Sequence, residues 1–507
     1  MQEVGLFQVS DKGYYKVYKY GGLAIIFYKV KPEPESQAFI EISNASRINP
    51  DKDETLLERL MRKSDSFLSS EDHLEKAEKA LDKIANQLGH NNILEQVHAL
   101  IAVVAPIWVA LRIQDERFVE SQERSTRYVE FRELYMPEDI KENEEALSTF
   151  ISAANKLLDV YKSTFNEMVE RLKEKYKKEN GDEPSSEHIK TVIEPTARDL
   201  IRGLLPMGME TVVYFSTNAK TLENITKKLL AEADKTCRIV GEGLKQVISE
   251  NLPSVSKHLD PSPFEAVYFN NTRKLNQTFK EPIIKSFDEE RVEIDGIDED
   301  KLIKEIARIA KSTNDGDISR NEGLDYIKQL TSERQGKYDA LNNTIFNVGS
   351  ILFDFDVSIG SLRDLQRHRD TIKNYVIDDS VVYLPKEIIE SKMFEHIKQT
   401  LSEIADARRK LSEMGFVGAA KLLIPLATGA KMTMHMGLGE AIFIIENRST
   451  KEAHPEYKHI ALEMLNKLSE KYPNITKVAK IFANREEQAY SRIEKENADK
   501  INKQLLF

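Results

Sequence analysis

A carboxylate, a hydroxyl and a guanidinium stand at alternate positions in Glu123-Arg124-Ser125-Thr126-Arg127-Tyr128, so that in an extended segment Glu123, Ser125 and Arg127 face the same way. Such a row accepts from a sugar hydroxyl, donates to a phosphate oxygen and clamps an anion with a planar fork. Far along the chain, Arg367-His368-Arg369 sets two more guanidiniums beside an imidazole. Arginine stays charged and binds oxygens bidentately, which suits both stretches to an anionic ligand. Each is the expected half of one site. A row of this kind also occurs on solvated polar edges, so its context decides.

The elements that must carry these residues come from a chain of 507 residues, long enough for two or more domains. A hydrophobic content of 40% and a charged content of 31% describe a protein able to bury sizeable cores, and a net charge of −11 argues against a general nucleic-acid or anionic-membrane binder. A small anion in a private basic pocket is the expectation. Met1-Gln2-Glu3-Val4 lacks the basic and apolar regions of a signal peptide. The longest apolar run, Val97 to Leu111, falls short of the roughly 20 residues a bilayer needs and contains Pro106, so it reads as core. One cysteine, Cys237, excludes an internal disulfide and fits a reducing, cytoplasmic setting; it sits in a helical stretch as a core residue. His454 and His459 share no helix face well and have no carboxylate–histidine cluster around them, so no metal site is expected.

Aromatic and β-branched residues in Tyr14 to Tyr18 and Leu23 to Tyr28, around Gly21-Gly22, predict a pair of strands. Helices are expected over Glu54 to Met61 and Asp72 to Leu88, the latter with Leu74, Ala77, Leu81, Ile84 and Leu88 on one face. A long helix begins near Asn143 with Leu147, Ile151, Ala154, Leu158, Tyr161, Phe165, Met168 and Leu172 as its buried stripe. It runs into a charged end at Lys173 to Lys178 and the turn-rich Gly181 to Ser186. Asn251-Leu252-Pro253 and Asp260-Pro261-Ser262-Pro263 supply the best domain boundary.

An internal repeat crosses that boundary. Tyr135-Met136-Pro137-Glu138-Asp139-Ile140 recurs as Tyr383-Leu384-Pro385-Lys386-Glu387-Ile388, and Leu204-Leu205-Pro206-Met207 as Leu423-Ile424-Pro425-Leu426, with a long amphipathic helix between the two motifs each time. The expected organisation is a first domain over 1–262 and a second over 263–507.

With its context the first stretch resembles the flavin-dependent thymidylate synthases (ThyX). In that family a Gly-His turn, an apolar segment ending near Ala-Pro-Ile, an Arg-His-Arg triplet and Glu-x-Ser-x-Arg-Tyr follow in order. Here Gly89-His90-Asn91-Asn92-Ile93-Leu94-Glu95, Ala105-Pro106-Ile107 and the Glu123 row match, but the triplet reads Asp115-Glu116-Arg117. The second copy has Arg363-Asp364-Leu365-Gln366-Arg367-His368-Arg369, similar to the family's Arg-Gln-x-x-Arg-His-Arg with Asp364 for Gln, and has lost the Glu row. Downstream, Arg202 before Leu204-Leu205-Pro206 and Asn218-Ala219-Lys220-Thr221-Leu222-Glu223-Asn224 match the family's arginine and flavin block, with Lys220 for Arg. The second copy has Gly437, Gly439 and Phe443 there. The family's last arginine falls on Leu229, beside Lys228, in the first copy and is kept as Arg448 in the second. What one copy loses the other retains.

The resemblance implies an α+β fold of two tandem ThyX-like domains, each a small antiparallel sheet with long helices, and sites drawing on both copies. It implies dUMP bound by Glu123, Ser125, Arg127, Arg202, Arg367 and Arg448, with Arg202 and Arg448 at the uracil as the catalytic cations. FAD would be held by His90, Asn92, Glu95, Asn218, Lys220 and Asn224 with Arg367, His368 and Arg369. Methylenetetrahydrofolate and NADPH would be the co-substrates, and a homodimer would form a pseudo-tetramer of ThyX-like domains. The alternatives are a degenerate, non-catalytic homologue that still binds nucleotide or flavin, and a helical scaffold without ligand.

Overall fold

The computed structural model describes residues 7–47, 55–84, 91–127, 129–311, 318–342, 346–450 and 453–485. His90 and Tyr128, and the side chain of Asn92, lie outside the described residues.

Among the described residues twelve strands form two sheets. The first comprises β1 (Gln8–Asp11), β2 (Tyr15–Tyr20), β3 (Leu23–Tyr28), β4 (His98–Pro106), β5 (Glu120–Glu123) and β6 (Glu210–Asn218) in the order β1-β2-β3-β4-β6-β5, antiparallel throughout. The expected N-terminal strand pair is β2 and β3, turning at Gly21 with φ +55°, and Leu23, Ile25 and Phe27 alternate inward as period 2 requires. The second sheet comprises β7 (Arg273–Asn276), β8 (Ile283–Ser286), β9 (Val292–Gly296), β10 (Ile351–Ser358), β11 (Ile372–Leu384) and β12 (Thr428–Met436). Its order is β7-β11-β12-β10-β9, with β8 also on β11. It is not purely antiparallel: β7 and β8 both run parallel to the long β11, one on each side of its register shift between Asp378 and Val382.

The apolar run Val97 to Leu111 is β4 followed by the Ile107–Ile113 helix, all but Val104 and Leu100 of its apolar side chains buried. The Ile359–Leu365 helix repeats the same strand-then-helix corner after β10. The long helix spans Glu144–Asn180, begun by Asn143, whose side chain accepts from the Ala146 N–H, and stopped at Gly181 with φ +85°. Its buried face is rotated from the expected stripe. Ala146, Phe150, Ala153, Leu157 and Val160 are buried beside Ala154, Tyr161, Met168 and Leu172, whereas Ile151 is exposed. The helix packs against two neighbours, Phe394–Glu413 and Glu194–Ile201, so its buried face is wider than a single apolar stripe. Cys237 is buried in the Lys235–Asn251 helix, and burial raises its thiol well above its usual value.

The repeated Pro motifs meet each other. Pro206 bridges Pro425, the Met207 N–H donates to the Ile424 carbonyl (2.8 Å) and the Leu426 N–H to Leu205 (2.9 Å), while Gly208 and Ala427 donate reciprocally to Leu422 and Gly203 (2.7 Å each). Each bond has a mate with the roles of the copies exchanged, the signature of a local two-fold axis. Buried apolar side chains from both sheets form one continuous cluster around this seam. No helix among the described residues is long and apolar enough to cross a membrane.

Candidate functional site

The seam brings the two sequence stretches together within a single chain. A cavity of about 290 Å³ is lined by Glu123, Ser125, Arg127 and Arg202 from one sheet's side and by Arg363, Asp364, Arg367 and Arg448 from the other, with Gln122, Arg124, Thr126, Gly360 and Tyr457 completing it. All six residues expected at dUMP are in this wall.

β5 ends at Glu123, and the chain then bends: the Arg127 N–H donates to the Ser125 hydroxyl at 3.2 Å. The row is extended only at its start, yet all three side chains reach the cavity because the turn aims Arg127 back towards it. The Glu123 side chain is fully buried and accepts from Gln114 (2.9 Å), the Thr211 hydroxyl (3.2 Å) and the Arg363 guanidinium, with Arg367 at 3.7 Å. Arg127 Nε donates to the buried Asp199 at 2.7 Å. Arg363 and Arg367 lie four residues apart at the end of the Ile359–Leu365 helix, and the Nε of each is buried without a hydrogen-bond partner among the described residues. Arg363 is a cavity residue that the family comparison did not single out as functional. Its spacing of four from Arg367, just past the end of its helix, was the available signal.

Asp364, which stands where the family has Gln, turns to Arg202: the guanidinium donates to its Oδ2 at 2.9 Å. Burial alone would raise the Asp364 carboxyl, but Arg202, Arg367 and Arg448 outweigh it and hold it well below the usual carboxylate range. Burial disfavours the Arg202 cation, but Asp364 and Asp199 more than offset this and raise its pKa. Arg448 donates to the Asp364 carbonyl (2.8 Å) and to His368 Nε2 (2.9 Å), with its guanidinium 5.3 Å from the Tyr457 ring centre. Among the lining residues six guanidiniums face two carboxylates; counting Asp199 and Glu133 behind Arg127 and Arg124, two positive charges are still in surplus.

A second cavity, about 500 Å³, opens at the other end of β5, lined by His98, Arg117, Phe118, Glu120, Ser216, Thr217, Asn218, Arg369 and Asp370. Two of the expected cofactor residues, Asn218 and Arg369, share it. Asn218 also caps the Ala219–Ala231 helix, accepting from the Thr221 N–H, and Arg369 donates to Glu120 at 3.2 Å. Lys220 is partly exposed on the first turn of that helix, paired with Glu223 at 3.1 Å, and Asn224 is half-buried one turn further on. Glu95 is exposed and is not part of either wall. His368, expected at the cofactor, faces inward instead: it is buried, with Nε2 on Arg448 and Nδ1 3.4 Å from Glu440.

The equivalent positions across the local axis are filled. Arg112, the counterpart of Asp364, is buried with Asp115 (3.1 Å), Glu232 and the Tyr375 hydroxyl (3.3 Å), and Tyr375 stands where Glu123 would. Trp108 replaces Gly360, its ring centre 5.4 Å from the Lys421 ammonium, and Lys421 is the counterpart of Arg202. Lys228 pairs directly with Glu116 at 2.7 Å. The second copy's flavin-block position is closed as well. Backbone of Leu341 and Asn347 lies within 3 Å of where a Cβ would stand on Gly439 and Gly437, and Leu438 and Gly439 donate to Val348 and Phe346.

The profile of the family described as "Thymidylate synthase complementing protein" matches residues 35–254 and 294–474. The chain belongs to this family. The first matched segment contains β4–β6 of one sheet and the second contains β10–β12 of the other, consistent with a tandem duplication. Among curated relatives, a UPF0159 protein of Thermoplasma acidophilum is 24% identical over 487 residues, covering 84% of this chain and 94% of that protein. A UPF0159 protein of Chlamydia muridarum is 22% identical over 459 residues, covering 84% and 85%. One from Chlamydia pneumoniae is 22% identical over 435 residues, covering 80% of each.

Proposed function

We propose that this member of the thymidylate synthase complementing family is a flavin-dependent thymidylate synthase that converts dUMP to dTMP. The carbon would come from methylenetetrahydrofolate and the electrons from NADPH, at one composite site per chain built by domains 1–262 and 263–507. The observation that carries this reading is the 290 Å³ cavity, where the retained motifs of both copies converge and the surplus of two guanidinium charges matches a phosphomonoester carrying about −1.5 to −2.

Ser125, Arg127 and Arg367 take the phosphate and sugar; the buried Nε of Arg367 has a donor to spare for an anion. Glu123 keeps Arg363 and the Thr211 hydroxyl in place beneath them. Arg202 and Arg448 face the pyrimidine, where fixed cations stabilise negative charge developing on its oxygen as the C5 proton leaves. The 500 Å³ cavity carries the guanidiniums of Arg117 and Arg369, paired with Asp370 and Glu120, beside the Ser216 hydroxyl and the Asn218 amide, donors that the pyrophosphate of FAD would engage in place of those carboxylates. Asn218 and Arg369, with Lys220 and Asn224 on the adjoining helix, would hold it, joined by His90 and Asn92. Bound and reduced, FAD supplies the hydride.

The test is the visible spectrum of the purified protein, followed by dUMP-dependent NADPH oxidation and tritium release from [5-³H]dUMP. A flavin spectrum with dUMP-stimulated turnover supports the synthase. Bound flavin without exchange at C5 supports a non-catalytic nucleotide-binding homologue, and a colourless protein with no response to dUMP refutes both.

A further inference from the structure

Between the Ile359–Leu365 helix and the Leu438–Arg448 helix lies a row of three ionisable side chains, His368 and Glu440 buried and Arg448 half-buried. Arg448 Nε donates to His368 Nε2 at 2.9 Å, which requires that nitrogen to be unprotonated, so the ring's proton sits on Nδ1. Facing Nδ1 at 3.4 Å is Oε1 of Glu440, a residue 1% exposed whose carboxyl burial raises to about 7, with Asn342 beside it. The Phe443 ring closes the side of the imidazole, edge-on at 5.9 Å. Burial, then Arg448 and Lys373, keep the His368 imidazole well below its usual pKa, so it is neutral.

The position across the local axis shows what the imidazole accomplishes. There Glu116 stands in place of His368 and meets Lys228 directly at 2.7 Å, and Thr221 stands in place of Glu440. A direct carboxylate cancels the cation's charge. A neutral imidazole orients the cation through a hydrogen bond and leaves its charge to the cavity, while the carboxyl behind the ring fixes which nitrogen accepts.

We propose that His368 and Glu440 are positioning residues: Glu440 fixes His368 as its Nδ1–H tautomer, and His368 holds Arg448 at the nucleotide cavity without neutralising it. This rests on the reading of that cavity as the dUMP site. It departs from the cofactor role that the family resemblance implies for His368.

The experiment is ¹⁵N NMR of the full-length protein labelled at histidine, assigned with His368→Gln, together with dUMP titration calorimetry of the native protein, Glu440→Gln and Glu440→Leu. In the native protein His368 gives the neutral Nδ1–H pattern. The side-chain amide introduced by Glu440→Gln still offers an oxygen to Nδ1–H, so that variant keeps the tautomer and binds dUMP within twofold of native. Glu440→Leu loses the tautomer preference and binds dUMP about tenfold more weakly, the worth of one hydrogen bond, with flavin content unchanged. An Nε2–H or doubly protonated His368 in the native protein overturns the proposal, as does a Leu variant that binds like the Gln variant or loses flavin instead of dUMP affinity. If the native protein binds no dUMP, the functional reading fails, and the tautomers of the native and Leu proteins still decide the role of Glu440.

Discussion

Arg363 and Arg367 lie one helical turn apart and both approach Glu123, yet removing them should have opposite consequences. Arg363 makes the close ion pair to a carboxylate that is 0% exposed, whereas Arg367 stands at 3.7 Å with about a third of its side chain open to the cavity. In Arg367→Ala, Glu123 keeps Arg363, Gln114 and Thr211, so the fold loses little. What is lost is a charge-assisted contact to the incoming phosphate, worth about 1.5–3 kcal/mol at a partly screened position, or about 10- to 150-fold in dUMP affinity. In Arg363→Ala a buried carboxylate loses its nearest counter-charge. That costs about 3 kcal/mol of stability, the low end for a broken buried pair because Gln114 and Thr211 still donate. Calorimetric dUMP titration and urea unfolding of both variants measure the contrast. A stable Arg363→Ala protein, or Arg367→Ala that binds dUMP within twofold of native, would refute the division of labour between the two arginines.

Gly360→Trp, which copies Trp108 into the open cavity, should abolish dUMP binding. Gly360→Ala should be tolerated, because its Cβ would meet Ser358 Oγ at 3.4 Å and the Leu426 carbonyl at 3.6 Å, ordinary contacts; titration of both decides. The native chain should bind one dUMP per polypeptide in the same titration, since the position across the axis is occupied by Arg112 and Trp108. Arg127→Ala and Arg367→Ala lie in different copies but on one cavity of one chain, so each should weaken dUMP binding by about tenfold or more and mixing the two proteins should not restore native affinity. Burial, then Arg202, lower the His454 pKa to about 3, where its Nε2 faces the Asp199 carbonyl at 3.0 Å. The unfolded chain takes up a proton near the ordinary value of about 6.5 and the folded one does not, so stability falls as pH drops from about 6.5 towards 3. His454→Gln should flatten that slope in urea titrations across the range.

Residue types together with the family resemblance identified six of the thirteen residues of the cavity wall. Charge, hydroxyl and fork geometry are properties of side chains, and the complementary loss of motifs marked Glu123, Ser125, Arg127, Arg202, Arg367 and Arg448 as one set before any distance was known. Local signals also placed Asn143 and Gly181 at the ends of the long helix, because caps and positive φ act within one turn. Other features depended on contacts between segments far apart in the chain. The buried face of that helix turned away from Ile151 because two other helices pack on it, and β7 and β8 joined β11 in parallel although each is only four residues long. Asp364 reads as a phosphate-repelling intruder until Arg202, from the other copy, is found 2.9 Å away. His368 reads as a cofactor ligand until Glu440 and Arg448 are seen on either side of it. Sequence determines which groups are available; the seam at Pro206 and Pro425 decides which of them meet, because an ion pair depends on distance through space and not on separation along the chain.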